Sequence, residues 1–142
     1  MESEKIRGLL RDLEMARKKI LRPQFLELGL TVGQGQPSIL ANLLRHGPQT
    51  QKKLSDRCHM DVTTMSRTLD RMEAAGFVAR DDNPDCRRSY LIRLTPLGEE
   101  KARRVQEIFA GYDSRLMGSI TEEEAVTLCR ILQKLADGLS GE

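Results

Sequence analysis

The chain has 142 residues, of which 31% are charged and 4% aromatic, with no Trp and a formal net charge of +2. That length suits one domain with a real hydrophobic core. An apolar set of mainly Leu, Ile, Ala, Val and Met favours helices over sandwiches or barrels, and the charge excludes a polycation. Residues 4–22 read as an amphipathic helix, with Ile6, Leu9, Leu10, Leu13, Ala16, Ile20 and Leu21 near helical spacing. Pro23 interrupts that helix or marks a new start, and Phe25, Leu26 and Leu28 carry apolar content up to Gly29. The segment LTVGQGQPS is a breaker-rich joint. Gly33 and Gly35 lack the downstream Lys-Ser/Thr of a phosphate loop and follow no strand. Pro37 suits the first turn of a second helix at about 36–46, which Gly47-Pro48 stops.

Thr50 stands as an N-cap before QKKLSDRC, and Asp61 as another before VTTMSRTLDRMEAA, with Gly76 as the C-terminal stop. Residues 77–81 and 89–94 alternate enough to be strands, and DDNPDCRR between them holds the turn signal Asn83-Pro84. The expectation is a β-hairpin with a long, charged tip carrying Arg87 and Arg88. Thr95-Pro96 restarts helix to about residue 117. Thr121 to Glu124 is a capping box that opens a last helix, whose Val126, Cys129, Leu132, Leu135, Ala136 and Leu139 form one apolar stripe. The first and last helices both carry apolar stripes, and the economical explanation is that they pack on each other and on a second subunit.

Charge is unevenly spread. Residues 45–104 hold 13 Lys/Arg against 9 Asp/Glu, a net of +4, and the remainder holds 10 against 12, a net of −2. A weakly acidic frame around a basic middle is consistent with a localised polyanion-binding face. Cys58, Cys86 and Cys129 make an odd count at no metal-ligand spacing, so neither a disulfide framework nor a zinc site is indicated. Reduced thiols, a charged first 20 residues unlike a signal peptide, and no run near the ~20 apolar residues of a membrane span predict a soluble, cytoplasmic protein. His46 and His59 lie in no metal spacing, and no Ser, His and acid stand in the strand-turn-helix context of a nucleophile. An enzyme is not expected.

The order helix, turn, helix, basic hairpin suits a protein that lays one helix in a DNA major groove and touches phosphate alongside. On the second helix the candidates are Val62, Thr63, Thr64, Ser66, Arg67 and Arg71. The hydroxyls offer short donors and acceptors, Arg67 can fork onto guanine or phosphate, and Arg71 reaches phosphate. Gln49, Thr50, Gln51 and Lys52 start the preceding helix and are candidates for backbone contacts that fix register. Arg87 and Arg88 suit a minor groove or flanking phosphates. The plain alternative for each is a solvated polar side chain. Leu54, Met65, Leu69, Met72, Phe77 and Val78 read as core.

Taken together, Gly29-Leu30-Thr31, His46-Gly47-Pro48, Thr50 to Leu54, Ser66 to Glu73, Gly76-Phe77-Val78, Asn83-Pro84 through Arg87-Arg88, and Leu94 to Gly98 resemble the MarR family of transcriptional regulators. The resemblance implies a winged helix-turn-helix lobe at 31–97, flanked by dimerisation helices at 1–30 and 98–142, all in one compact chain. It implies a homodimer on double-stranded DNA, typically a repressor on a pseudo-palindromic operator. It also implies release by a small aromatic or phenolic effector, with no other cofactor and no membrane. Pocket-lining residues would come from the first helix, the joint at 30–37 and the helix after the wing. The wing departs from the family pattern: Cys86 stands where an Asp usually precedes the basic pair and braces an arginine, so either Asp85 substitutes or the bracing differs. Sensing through a cysteine in the first helix is unsupported, since none precedes Cys58; Cys86, beside Arg87, is either a reactive or a plain surface thiol. The reading set against DNA binding is a winged helix used only for protein–protein assembly.

Overall fold

The computed structural model describes residues 1–31 and 35–140. The part of the glycine joint around Gly33, which carries no phosphate-loop pattern, lies outside the described residues. In chain order the elements are α1 (Glu2–Glu27), α2 (Gln36–His46), β1 (Gln49–Thr50), α3 (Gln51–Cys58), α4 (Val62–Ala74), β2 (Val78–Asn83), β3 (Cys86–Leu94), α5 (Pro96–Met117) and α6 (Glu122–Ser140). The expected class, mainly α with a β-hairpin wing on a helix-turn-helix, is the one observed. Residues 1–109 form one unit and residues 110–142 a second, with α5 beginning in the first and ending in the second.

In the first unit α1 runs on through Pro23 to Glu27, past the interruption expected from the sequence. A proline costs a helix one backbone hydrogen bond. Here Leu21 and Phe25, two residues to either side, are both buried and hold the continuation in place. Gly29 then takes a φ of 79°, a region an L side chain enters only at a cost, and turns the chain out of the helix. α2 matches its expected bounds, with Pro37 in its first turn. Ile39 and Leu40 of α2, Leu54 of α3, Met65, Leu69 and Met72 of α4, Ile92 of β3 and Val105 of α5 are sealed from solvent. Burying a side chain of this size contributes roughly 1.5–3 kcal/mol, so the inner faces fix these helices and leave their outer faces free for polar residues.

The sheet order is β1-β3-β2, all antiparallel. β1 is not expected from the sequence: Gln49 pairs with Ile92 and Thr50 with Leu91. Two residues are too few to show alternation, and the pairing partner lies some forty residues further along the chain.

The hairpin also differs from the expected long tip. β2 and β3 extend into DDNPDCRR, Asn83 pairs with Cys86, and only Pro84 and Asp85 form the turn. Asn83 closes that turn by accepting the Asp85 N–H on Oδ1 at 3.0 Å. Arg87 and Arg88 therefore lie in β3, not at the tip; with Ser89 they fall opposite a register shift between Asp82 and Asn83. An exposed hairpin tolerates charge on both faces, so charge density there misleads as a loop signal.

The base of the wing is locked to α5. Thr95 donates from Oγ1 to the Gly76 carbonyl at 2.5 Å and accepts the Gly98 N–H at 3.0 Å. A Cβ on Gly98 would stand 1.8 Å from the Phe77 carbonyl oxygen, so only glycine permits this approach. In the second unit, Thr121 and Glu124 make the expected reciprocal cap, with N–H to oxygen distances of 2.9 and 3.1 Å. No residue of α6 is buried, and Val126, Leu132, Leu135 and Leu139 are all exposed.

Candidate nucleic-acid interface

α4 begins at a cap that the sequence dictates. Asp61 is extended, with φ −73° and ψ 161°, and its Oδ1 accepts the Thr64 N–H at 2.8 Å. Oδ2 accepts the Thr64 hydroxyl at 2.9 Å. These hydrogen bonds, the backbone one first, hold the Asp61 carboxyl below its ordinary value, with a smaller contribution from the Arg67 charge. The Thr64 hydroxyl is thus turned to the cap.

The inward side of α4 is Met65, Thr68, Leu69 and Met72. The outward side presents Val62, Thr63, Arg67 and Arg71, with Ser66 half-buried beside them. Val62 is 68% exposed. Arg67 and Arg71, with Thr64 and Thr68, outline a notch of about 90 Å³.

Thr50 caps α3 as expected, accepting the Lys53 N–H on Oγ1 at 3.2 Å. Lys52 is exposed and Gln51 half-buried. Gln49 differs from expectation. It lies in β1 rather than at the helix start, is 4% exposed, and aims its amide inward. Its Nε2 lies 3.2 Å from Asn42 Oδ1 and from the Gly47 carbonyl, so three of the four candidates on this segment remain at the surface.

Arg87 and Arg88 are exposed on β3. The wing they sit on is braced by residues that sequence reasoning does not single out. Arg80 of β2 reaches back to α4, with Nη2 3.0 Å from Asp70 and Nη1 2.6 Å from Glu73. Its side chain is only 19% exposed, which makes these pairs better shielded than ordinary surface ones. Arg93 of β3 meets Asp81 of β2 at 2.6 Å. Of the two alternatives open for the bracing, the described residues show the second: Asp81 holds Arg93, and Asp85 makes no ion pair among them. Only the helical spacing of Asp70 and Glu73 could have hinted at the Arg80 contact. Cys86 is exposed, and hydrogen bonds from the Arg88 backbone and then the Ser89 side chain lower its thiol pKa. Burial raises that of Cys58.

A separate cavity of about 370 Å³ lies against α1, lined by Arg17, Lys18, Arg22, Phe25 and, from α5, Phe109. The two phenyl rings meet edge to face at 5.3 Å. Its walls come from α1, residues 35–38 and α5, close to the segments expected for a pocket. Among the described residues no three His, Cys, Asp or Glu side chains group to hold a metal, and no helix is long and apolar enough to cross a membrane.

Residues 33–90 match the family model described as "MarR family". The chain is 28% identical over 138 residues to the HTH-type transcriptional repressor MdtR of Bacillus subtilis, covering 90% of this chain and 86% of that protein. A crystal structure of MarR shares 27% identity and a TM-score of 0.73, covering 94% of this chain and 89% of that one. A mutant MarR from E. coli, solved with operator DNA, has the same fold at a TM-score of 0.81, 23% identity and coverage of 94% and 95%. Family model, curated relative and fold agree on the segment that carries α2, α3, α4 and most of the wing: over residues 33–90 the chain matches MarR-family transcriptional regulators, which are not enzymes.

Proposed function

We propose that the chain acts in the cytoplasm as a homodimeric repressor, reading a pseudo-palindromic operator through α4 and released from it by a small aromatic or phenolic ligand. The observation that carries this reading is the outward face of α4. A helix whose inner side is sealed into the core leaves Thr63, Arg67 and Arg71 at the surface with Ser66 half-buried beside them, while the Arg80 bridges hold the wing beside it. Base edges are read by Thr63, Ser66 and Arg67, with Val62 suited to a thymine methyl. Thr64 supports them through the cap. Phosphate contacts fall to Arg71, Thr50, Gln51, Lys52, Arg87 and Arg88. Residues 31–97 form the DNA-binding lobe and the flanking helices, 1–30 and 98–142, the dimerisation lobe.

The effector site of this reading is the cavity against α1. Phe25 and Phe109 supply aromatic walls, and Arg17, Lys18 and Arg22 supply cationic donors. A ligand there releases DNA only as far as it binds better to the arrangement in which the two recognition helices are mis-spaced.

The test is fluorescence anisotropy of the purified protein on its own upstream DNA and on a shuffled duplex, over a salt series, with and without an aromatic acid. Tight, salt-dependent preference for the native DNA supports the reading, and loss of that preference on adding the acid supports the ligand. Absence of binding at low salt overturns it in favour of an assembly module.

A further inference from the structure

A groove of about 300 Å³ runs between α2 and the C-terminal end of α3, with Phe109 of α5 on one wall. Arg45 and His46 enter it from the last turn of α2, and Arg57 and His59 from the end of α3. Among the described residues its lining contains no Asp or Glu, and neither Arg45 nor Arg57 takes part in an ion pair. The two charged side chains of the lining are both arginine, and two imidazoles stand beside them.

Three further observations bear on what the groove holds. Asn42 on its wall accepts the buried Gln49 amide on Oδ1 at 3.2 Å, which turns its NH2 away from Gln49. His59 is, among the described residues, the one non-glycine with positive φ, at 54°. That conformation ends α3 and sets the His59 side chain at the mouth of the groove. The His46 imidazole is held below its ordinary pKa, first by desolvation and then by the charges of Arg57, Arg45 and Lys53, which marks a region of positive potential.

We infer that this groove binds a small oxyanion of the phosphomonoester class, gripped by the Arg45 and Arg57 guanidiniums. Planar guanidinium forks match tetrahedral phosphate oxygens, and each such contact is charge-assisted. Asn42 and the two imidazoles add donors, and Phe109 offers an apolar wall to an organic substituent. The inference does not rest on how α4 reads DNA.

His46 and His59 are the only two histidines in the sequence, so their imidazole C–H proton resonances report on this groove directly. The full chain is titrated with phenyl phosphate and, separately, with inorganic phosphate, at one pH and at constant ionic strength set with chloride. Both resonances are expected to move saturably, more tightly for phenyl phosphate if the natural ligand is organic and equally for the two if it is the free ion. Arg45→Gln and Arg57→Gln are each expected to weaken binding about tenfold, with unchanged circular-dichroism melting. Shifts that grow linearly without saturation, or glutamine variants that titrate like the parent, overturn the inference. Duplex DNA that moves the same two resonances and resists displacement by phenyl phosphate also overturns it, since the groove would then serve the nucleic-acid backbone.

Discussion

Arg67 stands two residues past Met65 and two before Leu69, both fully buried, so the helix cannot roll to take its guanidinium out of the solvent-facing side. On the proposed reading, a side chain fixed in that way would meet base edges by direction as well as charge. Replacing it by alanine is expected to cost about 1–3 kcal/mol of discrimination between the operator and a duplex altered at the contacted pair. Affinity for unrelated DNA should change much less. Equal losses on both duplexes, measured by anisotropy, would place Arg67 on phosphate instead. Asp61 acts on the same helix differently, because its carboxylate caps Thr64. Its folded pKa is lowered, so its stabilising effect is present above the unfolded carboxyl's value and fades as pH falls through the folded one. Asp61→Asn keeps an N-cap oxygen but no titrating group. Its thermal midpoint is therefore expected to lose less than the parent's between neutral and acid pH, and parallel pH curves for the two proteins would disprove the linkage. Cys86 and Cys58 are shifted in opposite directions, so iodoacetamide at neutral pH should label Cys86 before Cys58. Peptide mapping decides it, and faster labelling of Cys58 would contradict the assignment.

At the scale of elements the wing shows what a chain reading can and cannot see. The caps at Thr50, Asp61 and Thr121 are legible because each is made by residues three apart, and the same spacing produces the bond. The hairpin is legible as a hairpin. Its true turn is not, because charged residues that read as loop are equally at home in an exposed antiparallel ladder. β1, the inward Gln49 and the Arg80 bridges depend on partners distant in sequence or on burial, and composition carries no trace of either. Moving Arg87 and Arg88 from the tip into β3 leaves their proposed role at phosphate intact and makes its energetics testable. Removing one phosphate-binding cation should flatten the plot of log affinity against log salt by about 0.9. Arg87→Ala with Arg88→Ala should thus bind more weakly and with a shallower slope while keeping its preference for the operator. An unchanged slope would show that the wing touches no phosphate.

For the whole molecule the strongest constraint is apolar surface that one chain leaves uncovered. Ile6, Leu9, Leu10 and Leu13 of α1 are each about half exposed, and α6 adds Val126, Leu132, Leu135 and Leu139 without burying any residue. Soluble monomers seldom expose contiguous apolar patches of more than a few hundred Å², whereas a two-fold partner can cover the same stripe on both copies at once. The functional consequence is multiplicative. Two recognition helices held in one such particle would bind two half-sites with the second association effectively intramolecular, a gain on the order of 10²–10⁴ over one helix alone. Glutamates at Leu132 and Leu135 would place like charges against each other across such a face. Light scattering after gel filtration should then show the parent as a dimer and the double variant as a smaller species. Operator affinity should fall by a factor in that range, while far-UV circular dichroism retains the helical signal. A parent that runs as a monomer at micromolar concentration would remove the dimer from the reading. A variant that stays dimeric would leave α1, whose exposed leucines are untouched by the substitutions, as the element that carries the interface.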